Sequence, residues 1–211
     1  MIDNKLYLEK GKGEPIILLH GLFGALSNWK TVVNQFAKTH RVIIPKIPLT
    51  EVDVKKANLE SLTDYVKKFI NKQRLKNFIL IGNSLGGHIA LIYTILYPKN
   101  VKKLILTGSS GLYENSFGGS FPKRGDYKYI EDRVNHTFYN PDILTKKYVD
   151  DIFTTLNDNA KCLNIITIAR SAQRNNLAKK LYKIKCPTLL VWGLNDTCLL
   201  YTSDAADDSL R

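Results

Sequence analysis

Short apolar runs alternate along this chain with stretches whose apolar residues recur every three or four positions. The runs "KLYLEK" (5–10), "PIILLH" (15–20), "RVIIP" (41–45), "NFILIG" (77–82), "VKKLILTG" (101–108) and "TLLVWG" (188–193) predict strands. Continuous apolarity, clearest in "PIILLH", marks a strand covered on both faces. Between the runs, 27–38, 59–71 and 85–97 predict helices; in the first, Trp29, Val32, Val33 and Phe36 fall at helical spacing. This strand–helix–strand rhythm predicts an α/β fold, a mostly parallel sheet with helices on both faces.

The rhythm breaks after Gly111. From 113 to 178 no buried-strand run occurs and the pattern is helical. Tyr127, Ile130, Val134 and Phe138 share one helix face. Asp142 or Thr145 caps a further helix, with Tyr148, Val149, Ile152, Phe153 and Leu156 on its apolar side. A helical insertion between two core strands is expected to form a lid over the carboxyl edge of the sheet, where open α/β sheets bind ligands. The expected division is core 1–112, lid 113–178, return strand 179–197 and a tail 198–211.

Composition narrows the function classes. At 211 residues with 44% hydrophobic content, the chain fits one domain with a sizeable core. The net charge of +12 comes from lysines spread along the whole sequence, with no basic cluster interleaved with aromatics. That distribution describes solvated helix faces, so no nucleic-acid partner is expected. No apolar run is long enough to cross a bilayer, and "MIDNKLYLEKGKGEP" lacks a signal peptide's apolar run, so no membrane association is expected. Cys162, Cys186 and Cys198 have neither metal-ligand nor disulfide-framework spacing. A cytoplasmic protein with no metal and no cofactor is expected.

The sharpest chemical signal is "ILIGNSLGGH", in which Gly82-Asn83-Ser84-Leu85-Gly86 lies between an apolar strand and an apolar-periodic helix. G-x-S-x-G in that context is a nucleophile elbow. Its glycines permit a turn so tight that side chains there would strike neighbouring backbone. The turn lifts the Ser84 hydroxyl to a helix N-terminus, where developing negative charge is stabilised. Earlier, "LLHGLFG" places His20, Gly21, Leu22 and Phe23 in the loop after the second apolar strand.

"HGLFG", "GNSLGGH" and "LLVWGLND", in that order and separated by a helical insertion, resemble the α/β-hydrolase superfamily from about Leu6 to Thr197. The resemblance implies Ser84 as catalytic nucleophile and Asp196, after "TLLVWG", as triad acid. It implies an oxyanion hole from the backbone N–H of Leu85 and of Leu22, or less favourably Phe23, with His20 and Gly21 orienting the loop. Dehalogenases and epoxide hydrolases of the superfamily carry Asp at the elbow, so Ser84 argues against those activities. Asn83 is similar to the elbow of hydrolases that cleave carbon–carbon bonds in ring-fission products, and simple carboxylesterases carry it too. The alternative acid position after the preceding strand holds Ser109 and Ser110, with no carboxylate until Glu114.

The family's triad order is Ser, acid, His. Here His20, His40, His88 and His136 all precede Asp196. Residues from Cys198, "CLLYTSDAADDSLR", match nothing expected after the acid and resemble a translated sequencing adapter. The expectation is therefore a C-terminally truncated metagenomic chain that lacks its last strand, last helix and catalytic histidine, and is inactive as it stands. The function expected of the parent is a serine hydrolase acting on a small-molecule ester or related acyl substrate. One alternative is a carbon–carbon hydrolase of ring-fission-type keto acids, with Arg170 or Arg174 gripping a substrate carboxylate. Against that role, charge patterning favours a solvated position for both arginines. Another alternative is a non-catalytic binding protein of the same fold.

Overall fold

The computed structural model describes residues 2–4, 6–24, 29–112, 123–140, 144–196 and 199. Seven strands form one sheet in the order β1-β2-β4-β3-β5-β6-β7. They are β1 (Ile2–Asn4), β2 (Tyr7–Lys10), β3 (Glu14–Leu19), β4 (His40–Pro45), β5 (Phe78–Ser84), β6 (Val101–Ser109) and β7 (Thr188–Val191). From β4 to β7 all neighbours run parallel, whereas β1 and β2 add an antiparallel edge. The sequence did not reveal β1. A three-residue strand carries too little periodicity to detect and exists here through its pairing with β2.

Strand side chains alternate between faces, and two apolar clusters follow from that alternation. Ile17, Leu19, Ile43, Leu80, Leu104 and Leu106 face one side. Helices α2 (Leu59–Lys72) and α3 (Leu85–Leu96) cover that side. Ile16, Leu18, Val42, Ile44, Ile79 and Ile81 face the other, against Trp29 and Val33 of the α1 region (Lys30–Phe36). Asn58 caps α2, its side chain accepting from the Ser61 N–H at 2.9 Å. The observed α1 is shorter than the expected 27–38; of that range, 27 and 28 fall outside the described residues.

Three helices lie between β6 and β7: α4 (Tyr127–His136), α5 (Lys146–Asn157) and α6 (Asn159–Gln173). Ile130, Val134, Val149, Ile152, Leu156 and Ile165 from these helices belong to the same apolar cluster as Leu85 at the elbow. The insertion therefore packs on the α3 face of the sheet. Thr145 caps α5 by accepting from the Tyr148 N–H at 3.3 Å; Asp142, the other expected cap, falls outside the described residues. So do the tail residues 198 and 200–211.

The last strand behaves unlike the others. Leu189, Leu190 and Val191 of β7 are about half exposed, and Leu194 just beyond is fully so. β7 ends the sheet order, so its outer backbone edge has no partner strand among the described residues. An apolar open edge promotes intermolecular pairing. Lysine at both Leu189 and Leu194 is expected to raise the soluble fraction of this 211-residue chain several-fold. Light scattering checks this, and unchanged scattering would mean that association proceeds through another surface.

Candidate active site

The site begins with the turn from β5 into α3. Ser84 ends β5 and caps α3 with φ 54° and ψ −121°, a left-handed conformation for a residue with a side chain. Such backbone costs on the order of 1–3 kcal/mol and persists only where its surroundings enforce it. They do so here by close packing. A Cβ at Gly82 would stand 2.5 Å from the Gly86 carbonyl oxygen, and one at Gly86 would fall onto the Leu19 carbonyl of β3. The Ser84 carbonyl accepts from the Ser110 N–H at 3.1 Å, tying the elbow to the end of β6.

Asp196 reaches the same edge from β7. Its backbone N–H closes a turn onto the Gly193 carbonyl at 3.1 Å. One carboxylate oxygen accepts from the Leu199 N–H at 2.9 Å; the other stands 3.4 Å from where a Cβ on Gly108 would be. Gly108 directly precedes Ser109, the residue that pairs with Ser84. Nucleophile candidate and acid candidate thus flank the carboxyl end of β6, separated by 112 positions in sequence but by a single strand in space. The turn bond to Leu199 also shows Asp196 serving as a local cap, the structural role open to any turn aspartate. Ser109 and Ser110 are both buried at the end of β6, and Ser109 Oγ donates to the Ser110 carbonyl at 2.9 Å.

The loop after β3 lies against the elbow. A Cβ on Gly21 would be 3.0 Å from Ser84 Cβ and 3.4 Å from its Oγ. The Gly24 N–H donates to the Gly21 carbonyl at 3.0 Å, making residues 21–24 a turn. Leu22 and Phe23 are its central residues, and their N–H groups make no hydrogen bond among the described residues. Leu85, the first residue of α3, directly follows Ser84. Asn83 joins the two parts. Its Nδ2 donates to the Thr107 carbonyl at 3.0 Å and to Thr107 Oγ1 at 3.1 Å, while its Oδ1 faces Gly21.

The histidines have other occupations. His20 is buried, with Nδ1 at 3.0 Å from the Gly21 carbonyl and Nε2 accepting from the Ile47 N–H at 3.2 Å. Those partners assign the proton to Nδ1 and leave neither nitrogen for Ser84. Burial pushes the His20 pKa down, the bond to Gly21 offsetting part of the shift. His40 begins β4, at the opposite end of the parallel strands from Ser84. His136 ends α4 on an exposed face, in an open pocket of about 340 Å³ with Tyr129, Asp132 and Arg133.

His88 is fully buried one turn into α3. Its Nδ1 lies 3.3 Å from Ser110 Oγ, and its ring is so close to Gly111 that a Cβ there would stand 2.7 Å away. Its Nε2 makes no hydrogen bond of standard geometry. Burial lowers its pKa to about 4, with the Asn175 backbone offsetting a part. A histidine held neutral in the fold but free to protonate when unfolded stabilises the protein fully above its unfolded pKa of about 6.5. That stability is lost as pH falls from about 6.5 towards about 4. The loss expected from this one group is about 3 kcal/mol, at about 1.4 kcal/mol per unit. Urea titrations at several pH values check it: His88→Asn should flatten this pH dependence, and an equal slope in the variant would contradict it.

Arg170 and Arg174 are both exposed, Arg174 as the C-cap of α6. Helix α6 rests on α2 and on the loop before it, with Asn164 Nδ2 donating to the Val52 carbonyl at 2.7 Å and Ser171 Oγ accepting from the Leu59 N–H at 3.2 Å. Among the described residues no group of three or more potential metal ligands occurs, and no helix is long and apolar enough to cross a membrane.

A family model described as "alpha/beta hydrolase fold" matches residues 14–140. The 2-hydroxy-6-oxo-6-phenylhexa-2,4-dienoate hydrolase of Comamonas testosteroni is 27% identical over 90% of this chain and 74% of its own length. Lipase 1 of Psychrobacter immobilis is 28% identical over 92% of this chain and 66% of its own. Among solved structures, an α/β hydrolase enzyme from the metagenome of sediments of the Mar Chica lagoon, Morocco, superposes with a TM-score of 0.71 at 38% identity, covering 92% of this chain and 75% of that one. An esterase from Exiguobacterium antarcticum gives a TM-score of 0.77 at 20% identity, over 95% of this chain and 81% of that one, a likeness of fold alone.

Proposed function

We propose that this chain, which belongs to the α/β-hydrolase family, is the greater part of a serine hydrolase that cleaves small esters or related acyl compounds through an acyl-enzyme on Ser84. The observation that carries the reading is the left-handed backbone of Ser84 at the start of α3, beside a turn whose two central N–H groups make no hydrogen bond among the described residues. Strain of that kind is retained where it places a reacting group.

In this mechanism Ser84 Oγ attacks the substrate carbonyl while a histidine takes its proton. The Leu85 and Leu22 N–H groups hold the resulting oxyanion, with Phe23 as the less favoured donor in that loop. The same histidine then protonates the leaving alcohol, and water releases the acyl group by the reverse sequence. Asp196 orients the histidine and stabilises its charged form. His20 and Gly21 set the oxyanion loop. The insertion α4–α6 acts as a lid whose apolar residues wall the acyl pocket. None of the four histidines of this chain is placed for the base, so we assign that role to a part of the protein beyond these residues, after Asp196 in the family's order. The 211-residue chain is accordingly inactive in this reading, since loss of a triad base costs on the order of a million-fold in turnover.

Carbon–carbon hydrolysis is the second reading, favoured by Asn83 at the elbow. It needs a cation for the substrate carboxylate; Arg170 and Arg174, the two candidates, are both exposed, which supports the ester reading over this one. Assaying p-nitrophenyl esters beside a 2-hydroxy-6-oxo-dienoate with the product of the complete reading frame decides between them. Faster turnover of the dienoate would overturn the ester assignment, and no turnover of either would favour a non-catalytic binding protein.

A further inference from the structure

Among the described residues, one hydrogen bond links the insertion to the loop beside Ser84. Tyr148, in the first turn of α5, donates its hydroxyl proton to the Phe23 carbonyl at 3.3 Å, across 125 positions of sequence. The tyrosine is held on the insertion side. Its N–H donates to Thr145 Oγ1, and its ring meets Phe138 edge-on at 6.1 Å and 89°. Its neighbours Val149 and Ile152 are buried in the cluster that also contains Leu85.

On the loop side the turn is set by φ and ψ of its two central residues, Leu22 and Phe23. The Gly21 carbonyl is fixed by the Gly24 N–H and by His20 Nδ1, both at 3.0 Å. The Leu22 N–H shares a planar peptide with that carbonyl and is held with it, whereas the Phe23 N–H lies on the central peptide, whose direction depends on ψ of Leu22 and φ of Phe23. A bond to the Phe23 carbonyl pins the outgoing end of that segment and so restricts the rotation.

We propose that Tyr148 is a positioning residue for the oxyanion loop, tying the Phe23 carbonyl to the insertion so that the N–H groups of the turn beside Ser84 are aligned only when the insertion is seated. This rests on the serine-hydrolase reading. It deepens that reading by making the insertion part of the catalytic geometry as well as a pocket wall.

The test uses Tyr148→Phe, which keeps the ring contact with Phe138 and removes only the hydroxyl. With the product of the complete reading frame, kcat on a short-chain ester is expected to fall about ten-fold with KM within two-fold, because the loss falls on the transition state. Inhibition by a trifluoromethyl ketone, whose adduct carries the oxyanion, should weaken by the same factor. A merely structural role would instead shift KM and melting temperature together. If Ser84→Ala abolishes turnover while Tyr148→Phe leaves kcat and ketone inhibition unchanged, the positioning role is overturned and the hydrolase reading stands. Activity retained in Ser84→Ala would overturn both. A readout independent of turnover is amide exchange in the 211-residue chain, where Tyr148→Phe should speed exchange at Gly24 about ten-fold. Unchanged exchange and an unchanged Gly24 nitrogen shift would also overturn the proposal.

Discussion

Ser84→Ala is expected to lower kcat for ester hydrolysis by about a million-fold in the product of the complete reading frame, leaving only what binding and the oxyanion donors supply. The size follows from what is removed. Without Oγ there is no acyl-enzyme, and neither Asp196 nor the proposed histidine has an alternative nucleophile to activate. The variant should otherwise be intact. Alanine at a left-handed position is strained about as much as serine, and Ser84 makes no side-chain cap bond to α3 that the change would remove. The expected result is therefore a folded, inactive protein, shown by an unchanged urea midpoint beside a flat progress curve. Residual activity above about one per cent would mean that another group attacks the substrate.

The second large effect is on stability. Gly86→Ala is expected to destabilise the fold by about 3 kcal/mol or more, because the added Cβ falls onto the Leu19 carbonyl of β3. Most overpacking is relieved when a flexible side chain swings away. Here the obstacle is the backbone of a central strand hydrogen-bonded on both sides, to β4 and to β5. Relief requires α3 to back off the sheet, which would also move Ser84 and the Leu85 N–H. Loss of stability and loss of catalysis should consequently appear together. The urea midpoint at constant slope measures the first. A midpoint equal to that of the parent would show that the helix can shift at little cost.

Much of this architecture is legible in the sequence because it depends on neighbours in the chain. Six strands and three core helices show in runs and spacings a few residues long. The elbow is legible partly for the same reason: Gly82 stands against the Gly86 and Gly87 backbone within a single turn, although Gly86 itself packs on Leu19 of β3. Tyr127, Ile130 and Val134 foretell α4 by periodicity alone. Other features depend on distant partners and leave no local trace. β1 is a strand only through β2. His20 Nε2 accepts from the distant Ile47 N–H, and the link from Asn83 to Thr107 crosses from β5 to β6. The Tyr148 hydroxyl is the clearest case. In the sequence it is one residue of an apolar helix face, and only the seating of α5 against the loop after β3 gives it a polar task.

By itself, then, the sequence determined the α/β alternation, the elbow with its serine, and the order in which serine and acid candidates occur. Periodicity and steric need act over a few residues, so they are written in consecutive letters. Tertiary structure decided that Ser84 and Asp196 flank the end of one strand, that both His20 nitrogens are engaged by backbone groups, and that a hydrogen bond from the insertion reaches the loop beside the nucleophile. Those facts follow from sheet order and from packing between segments up to 125 residues apart, which no local pattern specifies.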